Sequence, residues 1–288
     1  MKSEGYINLY GYKTWYSVYG DLKSGATPLL TLHGGPGYTH NHLQNLSQLA
    51  ERGMPVILYD QLGCGNSDTP DNPGLWTIEL FVEEINALRS ALQLDSINLL
   101  GHSWGGSLAV EYLFTQPAGV QKLILSSPLL DTQLWVKENS RLKDQLPIEV
   151  STIMRKHEDA GTTYTDEYRS ANKIFNKNFL CRLDPLPEDI KRSDAAASQQ
   201  VYETMWGPSE SHATGTLKNW TSLDRLSQIG IPTLLLSGKY DEATPKQMET
   251  ALDLLPNSKW FLFENSSHVS NYEEPEKYLN TVSNFLRF

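Results

Sequence analysis

The stretch GHSWG at residues 101–105 follows a short apolar run, residues 96–100, and precedes a helical pattern, residues 107–116. A strand, a sharp turn and a helix form the context in which a G-x-S-x-G motif presents a nucleophilic serine. The turn is so tight that side chains in place of its two outer glycines would collide with neighbouring backbone. The alternative is a glycine-rich turn with an ordinary N-capping serine. The flanking strand and helix favour Ser103 as a nucleophile whose hydroxyl points out of the sheet edge.

Short apolar runs recur along the chain, each bounded by turn residues and separated from the next by a helical pattern. Continuously apolar strands that alternate with helices indicate a parallel sheet buried on both faces. Residues 5–20 differ, because they alternate polar and apolar positions around a glycine turn, and they predict an antiparallel hairpin at a sheet edge. The apolar runs are residues 28–32, 55–59, 96–100, 122–126, 232–237 and 260–263. We therefore predict an α/β fold with a mostly parallel central sheet flanked by helices.

Residues 131–221 break this rhythm. The segment is polar and rich in helical patterns, with scattered Pro and Gly and no convincing buried strand. A helical lobe inserted between two sheet strands has this appearance. We predict a helical cap over residues 131–221, and we assign residues 1–130 and 222–288 to the core. A Pro start and helical spacing predict a final helix over residues 275–288.

A serine hydroxyl is a weak nucleophile at neutral pH, so a base must remove its proton as it attacks. Of the seven histidines, His268 lies just beyond the last predicted strand, where a loop at the sheet's C-terminal edge would present it. His33 and His102 flank the glycine-rich turns, and we interpret both as hydrogen-bonding partners of the turn backbone. The remaining four lie in polar surroundings typical of surface or cap residues: His40, His42, His157 and His212. His268 is therefore the predicted general base.

Asp241 follows the predicted strand at residues 232–237 and so lies at the same edge of the sheet. A carboxylate there can accept the second ring N–H of the histidine, fix its tautomer and stabilise the imidazolium that forms during attack. Asp60, after the strand at residues 55–59, is a rival acid, but its glycine-containing loop suggests a structural role. The chain order Ser103, Asp241, His268 is the order that α/β hydrolases use, and it differs from the order in other serine hydrolase folds.

The tetrahedral intermediate of acyl transfer needs hydrogen-bond donors for its oxyanion. The motif HGGPG at residues 33–37 ends the predicted strand at residues 28–32. Its glycines let backbone N–H groups approach the intermediate without a Cβ in the way. We predict that the backbone N–H groups of Gly35 and Trp104 form the oxyanion hole.

The bulk composition limits the classes of function. The 288 residues, 39% of them hydrophobic, suffice for a large core. A net charge of −10 disfavours nucleic acid and anionic lipid surfaces as partners. The N-terminus has no apolar h-region, and no stretch approaches the roughly 20 apolar residues that cross a bilayer. Cys64 and Cys181 lack disulfide or zinc-ligand spacing, so we expect reduced thiols, no metal or cofactor and a cytoplasmic protein.

Five motifs stand out together: HGGPG at residues 33–37, DQLGCGNSD at 60–68, GHSWGG at 101–106, GKYDEATP at 238–245 and the SSH that ends at His268. The set resembles the proline iminopeptidase family, and the resemblance spans nearly the whole core. It implies an α/β-hydrolase fold and removal of an N-terminal residue. Related members include broader aminopeptidases and amino-acid amidases, so the resemblance does not fix one substrate. The positions that flank Ser103 vary in this group and give no separate support for proline.

Removal of an N-terminal residue requires recognition of a free α-amine, which is mostly protonated near neutral pH. Negative charge is therefore needed about one residue from the scissile carbonyl. The resemblance assigns this role to Glu242, beside Asp241, and to Glu210 in the cap motif MWGPSE at residues 205–210. Adjacent carboxylates repel, and a substrate ammonium would compensate them. Charge alone would make both glutamates ordinary solvated residues, and the resemblance favours amine binding.

The predicted cap also carries aromatic residues, most of which are typical of the core of a helical lobe. Tyr202 and Trp206 are our candidates for an apolar pocket suited to a proline ring. The leading hypothesis is an aminopeptidase that releases an N-terminal residue, preferably proline, from short peptides through an acyl-enzyme. The alternatives are an amino-acid amidase or carboxylic ester hydrolase with the same triad, and a non-catalytic ligand-binding homologue. The intact triad of serine, aspartate and histidine speaks against the last.

Overall fold

A computed structural model of the chain describes residues 1–287, and one eight-stranded sheet forms its centre. The strands are β1 (Lys2–Leu9), β2 (Tyr12–Tyr19), β3 (Leu29–Leu32), β4 (Val56–Tyr59), β5 (Ile97–His102), β6 (Val120–Ser126), β7 (Thr233–Gly238) and β8 (Ser258–Phe263). They lie in the order β1-β2-β4-β3-β5-β6-β7-β8. Strand β2 is antiparallel to both neighbours, and the six strands from β4 to β8 across the sheet are parallel. The predicted α/β sheet and its edge hairpin are confirmed.

Helices connect the strands and cover both faces of the sheet. They are α1 (Ile78–Ala91), α2 (Trp104–Phe114), α3 (Thr132–Lys143), α4 (Ile148–Ala160), α5 (Asp166–Phe179), α6 (Glu188–Ala195), α7 (Gln199–Met205), α8 (Pro245–Leu254), α9 (Ser270–Glu273) and α10 (Pro275–Arg287). Short 3₁₀ segments comprise His40–Arg52, Pro73–Leu75, Thr216–Asn219 and Leu226–Gln228. The predicted final helix is present up to Arg287, and Phe288 lies outside the described residues. Among residues 1–287, no helix is long and apolar enough to span a bilayer.

The continuous apolar runs arise because the inner strands are covered on both faces. Every residue of β3, β4, β5 and β7 is buried. Leu30 and Leu99 belong to the hydrophobic cluster on one face of the sheet, and Leu29 and Leu100 belong to the cluster on the other. Side chains that alternate between two buried faces produce an unbroken apolar sequence rather than a polar and apolar alternation. The carboxyl ends of these parallel strands therefore meet at one edge, where the site lies.

Helices α3 to α7 lie between β6 and β7, within the predicted cap at residues 131–221. Helices α3, α4 and α5 share a hydrophobic cluster of their own, which includes Met154, Tyr168 and Phe175. The two ends of this segment are joined, since the Thr132 N–H donates to the Trp220 carbonyl oxygen at 3.0 Å. This geometry is typical of an insertion with a closed base. The division into core and cap stays a prediction.

Candidate active site

The elbow lies between β5 and α2, as the sequence predicts. Ser103 has a φ of +56°, in a backbone region that is costly for a residue with a Cβ. A Cβ atom at Gly101 would lie 2.1 Å from the Gly105 carbonyl oxygen, and one at Gly105 would lie 2.1 Å from the Leu32 carbonyl oxygen. The steric argument for the two glycines is confirmed. This packing fixes Ser103 at the carboxyl edge of the sheet.

His268, in the loop after β8, reaches the same edge and pairs with Asp241. Its Nδ1 lies 2.8 Å from Asp241 Oδ1, and both side chains are buried. The ring centroid of His268 is 4.8 Å from that of His102, the residue before Ser103. With Nδ1–H donated to the carboxylate, Nε2 is the ring nitrogen available to accept a proton. This is the arrangement of a general base oriented by an acid beside the elbow.

Asp241 is held by further donors that the sequence did not identify. Its Oδ2 accepts a hydrogen bond from Ser127 Oγ at 2.6 Å, and its Oδ1 accepts one from the Ala243 N–H at 2.7 Å. These contacts keep the carboxylate facing the imidazole. Ser127 directly follows β6 at the carboxyl edge, and that position was the only sequence signal for its role.

Asp60, the rival acid, is engaged elsewhere. Its Oδ1 accepts from the His40 N–H at 2.8 Å and lies 2.7 Å from His40 Nδ1, while its Oδ2 accepts from the Asn66 N–H at 2.9 Å. Its predicted structural role is confirmed. The expectation that His40 and His42 lie at the surface or in the cap is wrong, because both are buried in the core. A buried carboxylate needs donors, and His40 supplies two of them.

The glycine loop at residues 33–37 packs directly on the elbow. A Cβ atom at Gly34 would lie 3.1 Å from Ser103 Cβ. Trp104 is the first residue of α2, where a backbone N–H has no partner within the helix. Gly35, next to Gly34, and Trp104 thus belong to the two segments that contact Ser103. Their role as oxyanion hole stays a prediction.

Gln61 links the two halves of the predicted oxyanion hole. Its Oε1 accepts from Trp104 Nε1 and its Nε2 donates to the His33 carbonyl oxygen, both at 3.0 Å. Its N–H donates to His33 Nε2 at 2.9 Å, and His33 Nδ1 bonds the Gly34 carbonyl oxygen. Burial lowers the pKa of His33 to about 4, so the ring is neutral near pH 7. The backbone-bonding role predicted for His33 is confirmed. His102 differs, because its buried Nδ1 has no hydrogen-bond partner among residues 1–287.

Glu242 contrasts sharply with Asp241, its neighbour in sequence. The side chain is fully buried, and neither carboxylate oxygen has a hydrogen-bond partner within residues 1–287. Its Oε1 lies 3.7 Å from His268 Nε2. Burial, and then the charges of Glu210 and Asp241, raise the pKa of Glu242 well above its ordinary value. A buried carboxylate of this kind is costly unless a cation pairs with it.

The backbone of Glu242 is held although its carboxylate is not. Its carbonyl oxygen accepts from Asn139 Nδ2 at 3.1 Å and from Gln247 Nε2 at 2.9 Å. Its N–H donates to the carbonyl oxygen of Phe179, the last residue of α5, at 3.3 Å. The free carboxylate is therefore presented by a fixed backbone, which favours a binding role over a mobile loop charge.

Glu210, in the segment after α7, has a partner at one oxygen. The Tyr202 hydroxyl donates to Glu210 Oε1 at 2.7 Å, and Trp135 Nε1 donates to the Glu210 carbonyl oxygen at 2.9 Å. Burial raises the pKa of Glu210, while the Tyr202 hydrogen bond and the charge of His268 act in the opposite direction. Glu210 therefore interacts electrostatically with both His268 and Glu242.

The two aromatic pocket candidates differ in their surroundings. Tyr202 is half-buried and orients Glu210. Trp206 is buried, its Nε1 donates to the Ser209 carbonyl oxygen at 2.9 Å, and its ring packs edge-on against Trp135 at 6.1 Å. A direct contact of either ring with substrate stays a prediction.

The described part of the chain contains neither a metal-binding cluster nor an activated thiol. Among residues 1–287, no group of three His, Cys, Asp or Glu side chains could hold a metal ion. Cys64 and Cys181 are buried free thiols. Burial raises the pKa of both thiols, that of Cys181 to about 11, so neither is an activated nucleophile.

The fold and the site define an α/β hydrolase with a serine elbow. A family model described as alpha/beta hydrolase fold matches residues 27–275, and the chain belongs to that family. The crystal structure of VinJ superposes with a TM-score of 0.96 at 39% identity, covering 99% of this chain and 98% of that one.

Two further relatives show to which group within the α/β hydrolases the chain belongs. The proline iminopeptidase of Heyndrickxia coagulans is 42% identical over 287 residues, which cover 99% of each chain. The crystal structure of the proline iminopeptidase of Mycobacterium smegmatis has a TM-score of 0.91 at 37% identity, with 99% of this chain and 98% of that chain covered. This chain is a member of the proline iminopeptidase family.

Proposed function

We propose that the chain is a serine aminopeptidase that releases an N-terminal residue, preferably proline, from short peptides through an acyl-enzyme. The observation that carries the proposal is the Glu242 carboxylate, buried without a partner among residues 1–287 and 3.7 Å from His268 Nε2. A substrate ammonium would supply both the positive charge and the hydrogen bonds that this carboxylate lacks. The activity named for the relatives above supports the same reading.

The three triad residues have distinct roles in the reaction. Ser103 Oγ attacks the carbonyl carbon of the first residue while its proton passes to His268 Nε2, and Asp241 stabilises the imidazolium. The C–N bond then breaks, and His268 donates its proton to the leaving nitrogen, so the rest of the peptide departs as an amine. Water attacks the acyl-enzyme with His268 again as base, which releases the free amino acid and restores Ser103.

The backbone N–H groups of Gly35 and Trp104 are assigned to the oxyanion that forms in both steps. Both are backbone donors, so they need no side-chain rearrangement as charge develops. Gln61 ties the two segments that carry these donors to each other through its bonds to His33 and Trp104.

Proline suits this site because its α-nitrogen, when protonated, is a secondary ammonium with two N–H donors. Glu242 and Glu210 each offer a carboxylate to these donors, and Tyr202 orients the carboxylate of Glu210. The cap, residues 131–221, carries Glu210 and would close the amine end of the site. Only one residue would then fit before Ser103, which is the property of an exopeptidase.

Small peptides and amino-acid amides are the substrates this geometry favours, and the cytoplasm is the location we assign. The two buried free thiols suit that location. A net charge of −10 fits neutral or cationic substrates better than polyanions.

A substrate panel on purified protein tests the proposal. It compares prolyl, alanyl and leucyl p-nitroanilides with N-acetylprolyl p-nitroanilide and p-nitrophenyl acetate. We expect the prolyl compound to be cleaved fastest and the acetylated one to be spared. Equal cleavage of free and acetylated compounds would exclude amine recognition and favour an ester hydrolase. Faster cleavage of other free-amine compounds would favour a broader amidase.

Two alanine variants separate binding from chemistry. Glu210→Ala and Glu242→Ala should lower kcat/KM for free-amine substrates, because each removes an acceptor for the ammonium. Labelling of Ser103 by a fluorophosphonate probe, which carries no amine, should continue. Unchanged kcat/KM in both variants would show that neither glutamate recognises the substrate.

A further inference from the structure

An apolar cavity of about 390 Å³ lies between the predicted cap and the core, beside the catalytic loop. Its volume is within the range of small-molecule sites. Most of its wall surface is apolar, and the apolar side chains that line it include Leu180, Leu183, Leu186, Ile190 and Val269. None of the proposed catalytic or amine-binding residues is among its lining residues.

The cavity adjoins the catalytic residues on two sides. Val269 directly follows His268 in the loop after β8. Leu180 directly follows Phe179, whose carbonyl oxygen accepts the Glu242 N–H. The wall of the cavity is therefore continuous along the chain with the general base and with the segment that bonds the amine-binding loop.

Polar and charged side chains also line the cavity, namely His42, Lys173, Asn176, Lys177, Asp184 and Asp194, and of these His42 is the buried one. His42 is 8% exposed and lines the cavity, and its Nε2 has no hydrogen-bond partner among residues 1–287. The nearest charge, Asp194 Oδ1, lies 3.8 Å away, beyond hydrogen-bonding distance. The His42 ring is fixed by stacking on Tyr38 at 5.2 Å. A rigid, unpaired ring nitrogen in an apolar cavity is the kind of group that orients a bound ligand.

We propose that this cavity is the subsite for the leaving residue, the second residue of the substrate, and that it selects a large apolar side chain. The inference rests on the proposed aminopeptidase function. His268 must donate its proton to the leaving nitrogen, so the residue that carries this nitrogen has to lie beside His268. Val269 and the leucines then surround its side chain, and His42 Nε2 bonds its backbone.

The dipeptides Pro–Leu and Pro–Gly test the subsite, because they differ only in the side chain that would enter it. The measured quantity is the ratio of their kcat/KM values, so a general loss of activity cancels. We expect Pro–Leu to exceed Pro–Gly at least about tenfold, since each methylene in an apolar pocket contributes about that much. A ratio near one in the wild type would overturn the proposal.

Variants tie the selectivity to this cavity. Leu183→Ser combined with Leu186→Ser should reduce the Pro–Leu to Pro–Gly ratio several-fold. Ile148→Ser is the matched control, because Ile148 is 72% exposed on α4 and does not line the cavity. Leu183→Asp should raise the ratio of Pro–Lys to Pro–Leu, a gain that damage to folding cannot produce. Ratios that stay at the wild-type value in both cavity variants would rule the cavity out.

Failure of the proposed function is distinguishable from failure of the subsite. Benzyl acetate and methyl acetate carry no amine, and their ratio reports on the leaving-group side alone. A protein that ignores prolyl substrates but prefers benzyl acetate, with the preference lost in the double serine variant, would retain the subsite without the aminopeptidase activity. A wild-type protein that does not prefer benzyl acetate to methyl acetate would exclude the subsite, whatever its activity on prolyl substrates.

Discussion

Replacing Glu242 by Gln keeps the size of the side chain and removes its titratable charge. The variant therefore separates the effect of the carboxylate on folding stability from its effect on substrate binding. Burial raises the pKa of Glu242 in the folded protein, whereas the unfolded value is about 4.3. Between these two pKa values the folded state binds more protons than the unfolded state. The free energy of unfolding of the wild type therefore falls as pH rises through that window, by about 1.4 kcal/mol per pH unit for this one group. Its contribution is fully present below about pH 4.3 and is lost towards the folded pKa.

Glutamine does not titrate, so Glu242→Gln should lack this loss. The unfolding free energy of the variant, minus that of the wild type, should grow by about 1.4 kcal/mol per pH unit above about pH 4.3 until the folded pKa is passed. The slope is the test rather than the absolute value, because a buried glutamine also lacks partners. Glu84 also has a raised pKa, and because it is present in both proteins its titration cancels in the difference.

The unfolding free energy of Glu242→Gln should grow relative to the wild type as pH rises, whereas its catalytic activity should fall below that of the wild type. Removing one partner of a buried charge pair costs about 3–5 kcal/mol, so kcat/KM for prolyl p-nitroanilide should fall at least about a hundredfold. Urea unfolding followed by tryptophan fluorescence at pH 5, 6 and 7 measures the first effect, and initial rates measure the second. Glu203→Gln is the matched control, because Glu203 is exposed on α7. Parallel stability profiles for wild type and variant, or retained kcat/KM, would refute the reasoning.

Three further variants test the catalytic geometry. Ser103→Ala should lower kcat at least about 10⁴-fold and abolish fluorophosphonate labelling, with the circular dichroism spectrum retained; residual labelling would identify another nucleophile. Ser127→Ala removes the 2.6 Å bond to Asp241, so kcat should fall about tenfold or more at constant KM, and an unchanged kcat would make that bond dispensable. Gln61→Leu removes the side-chain partner of Trp104 Nε1 and of the His33 carbonyl oxygen, so both Tm and kcat should fall, while a lowered Tm with normal kcat would confine Gln61 to a structural role.

The elements that the sequence predicts are those encoded by local patterns. Each inner strand is an apolar run because both of its faces are buried, and the glycines around Ser103 are required by backbone atoms only a few residues away or on the adjacent strand. Asp241 and His268 were predictable for a second reason. Parallel strands bring their carboxyl ends to one edge, so a residue just after such a strand is placed by topology.

The contacts that escaped prediction join distant segments through side chains. Ser127 bonds a carboxylate 114 residues away, and Gln61 bonds a tryptophan 43 residues away. Neither has a periodic or compositional signal. His40 misled for the same reason, since a polar stretch with two histidines is typical of a surface, and only the buried Asp60 explains why it faces inward.

The unpaired state of Glu242 bears on what the enzyme would reject as much as on what it would bind. A site that pairs a buried carboxylate with a substrate ammonium penalises an acylated amine twice. The acylated nitrogen has no positive charge to pair with the carboxylate, and the added carbonyl oxygen cannot donate a hydrogen bond to it. Sites that depend on a buried hydrogen bond discriminate against analogues that lack it by about 10⁴–10⁵, far more than an apolar pocket achieves for one methylene. Discrimination between a free and a blocked N-terminus should therefore be much stronger than discrimination between proline and another small residue. The adjacent Asp241 accepts hydrogen bonds from Ser127 and Ala243 and also pairs with His268, so it can orient His268 whether or not the substrate has a free amine.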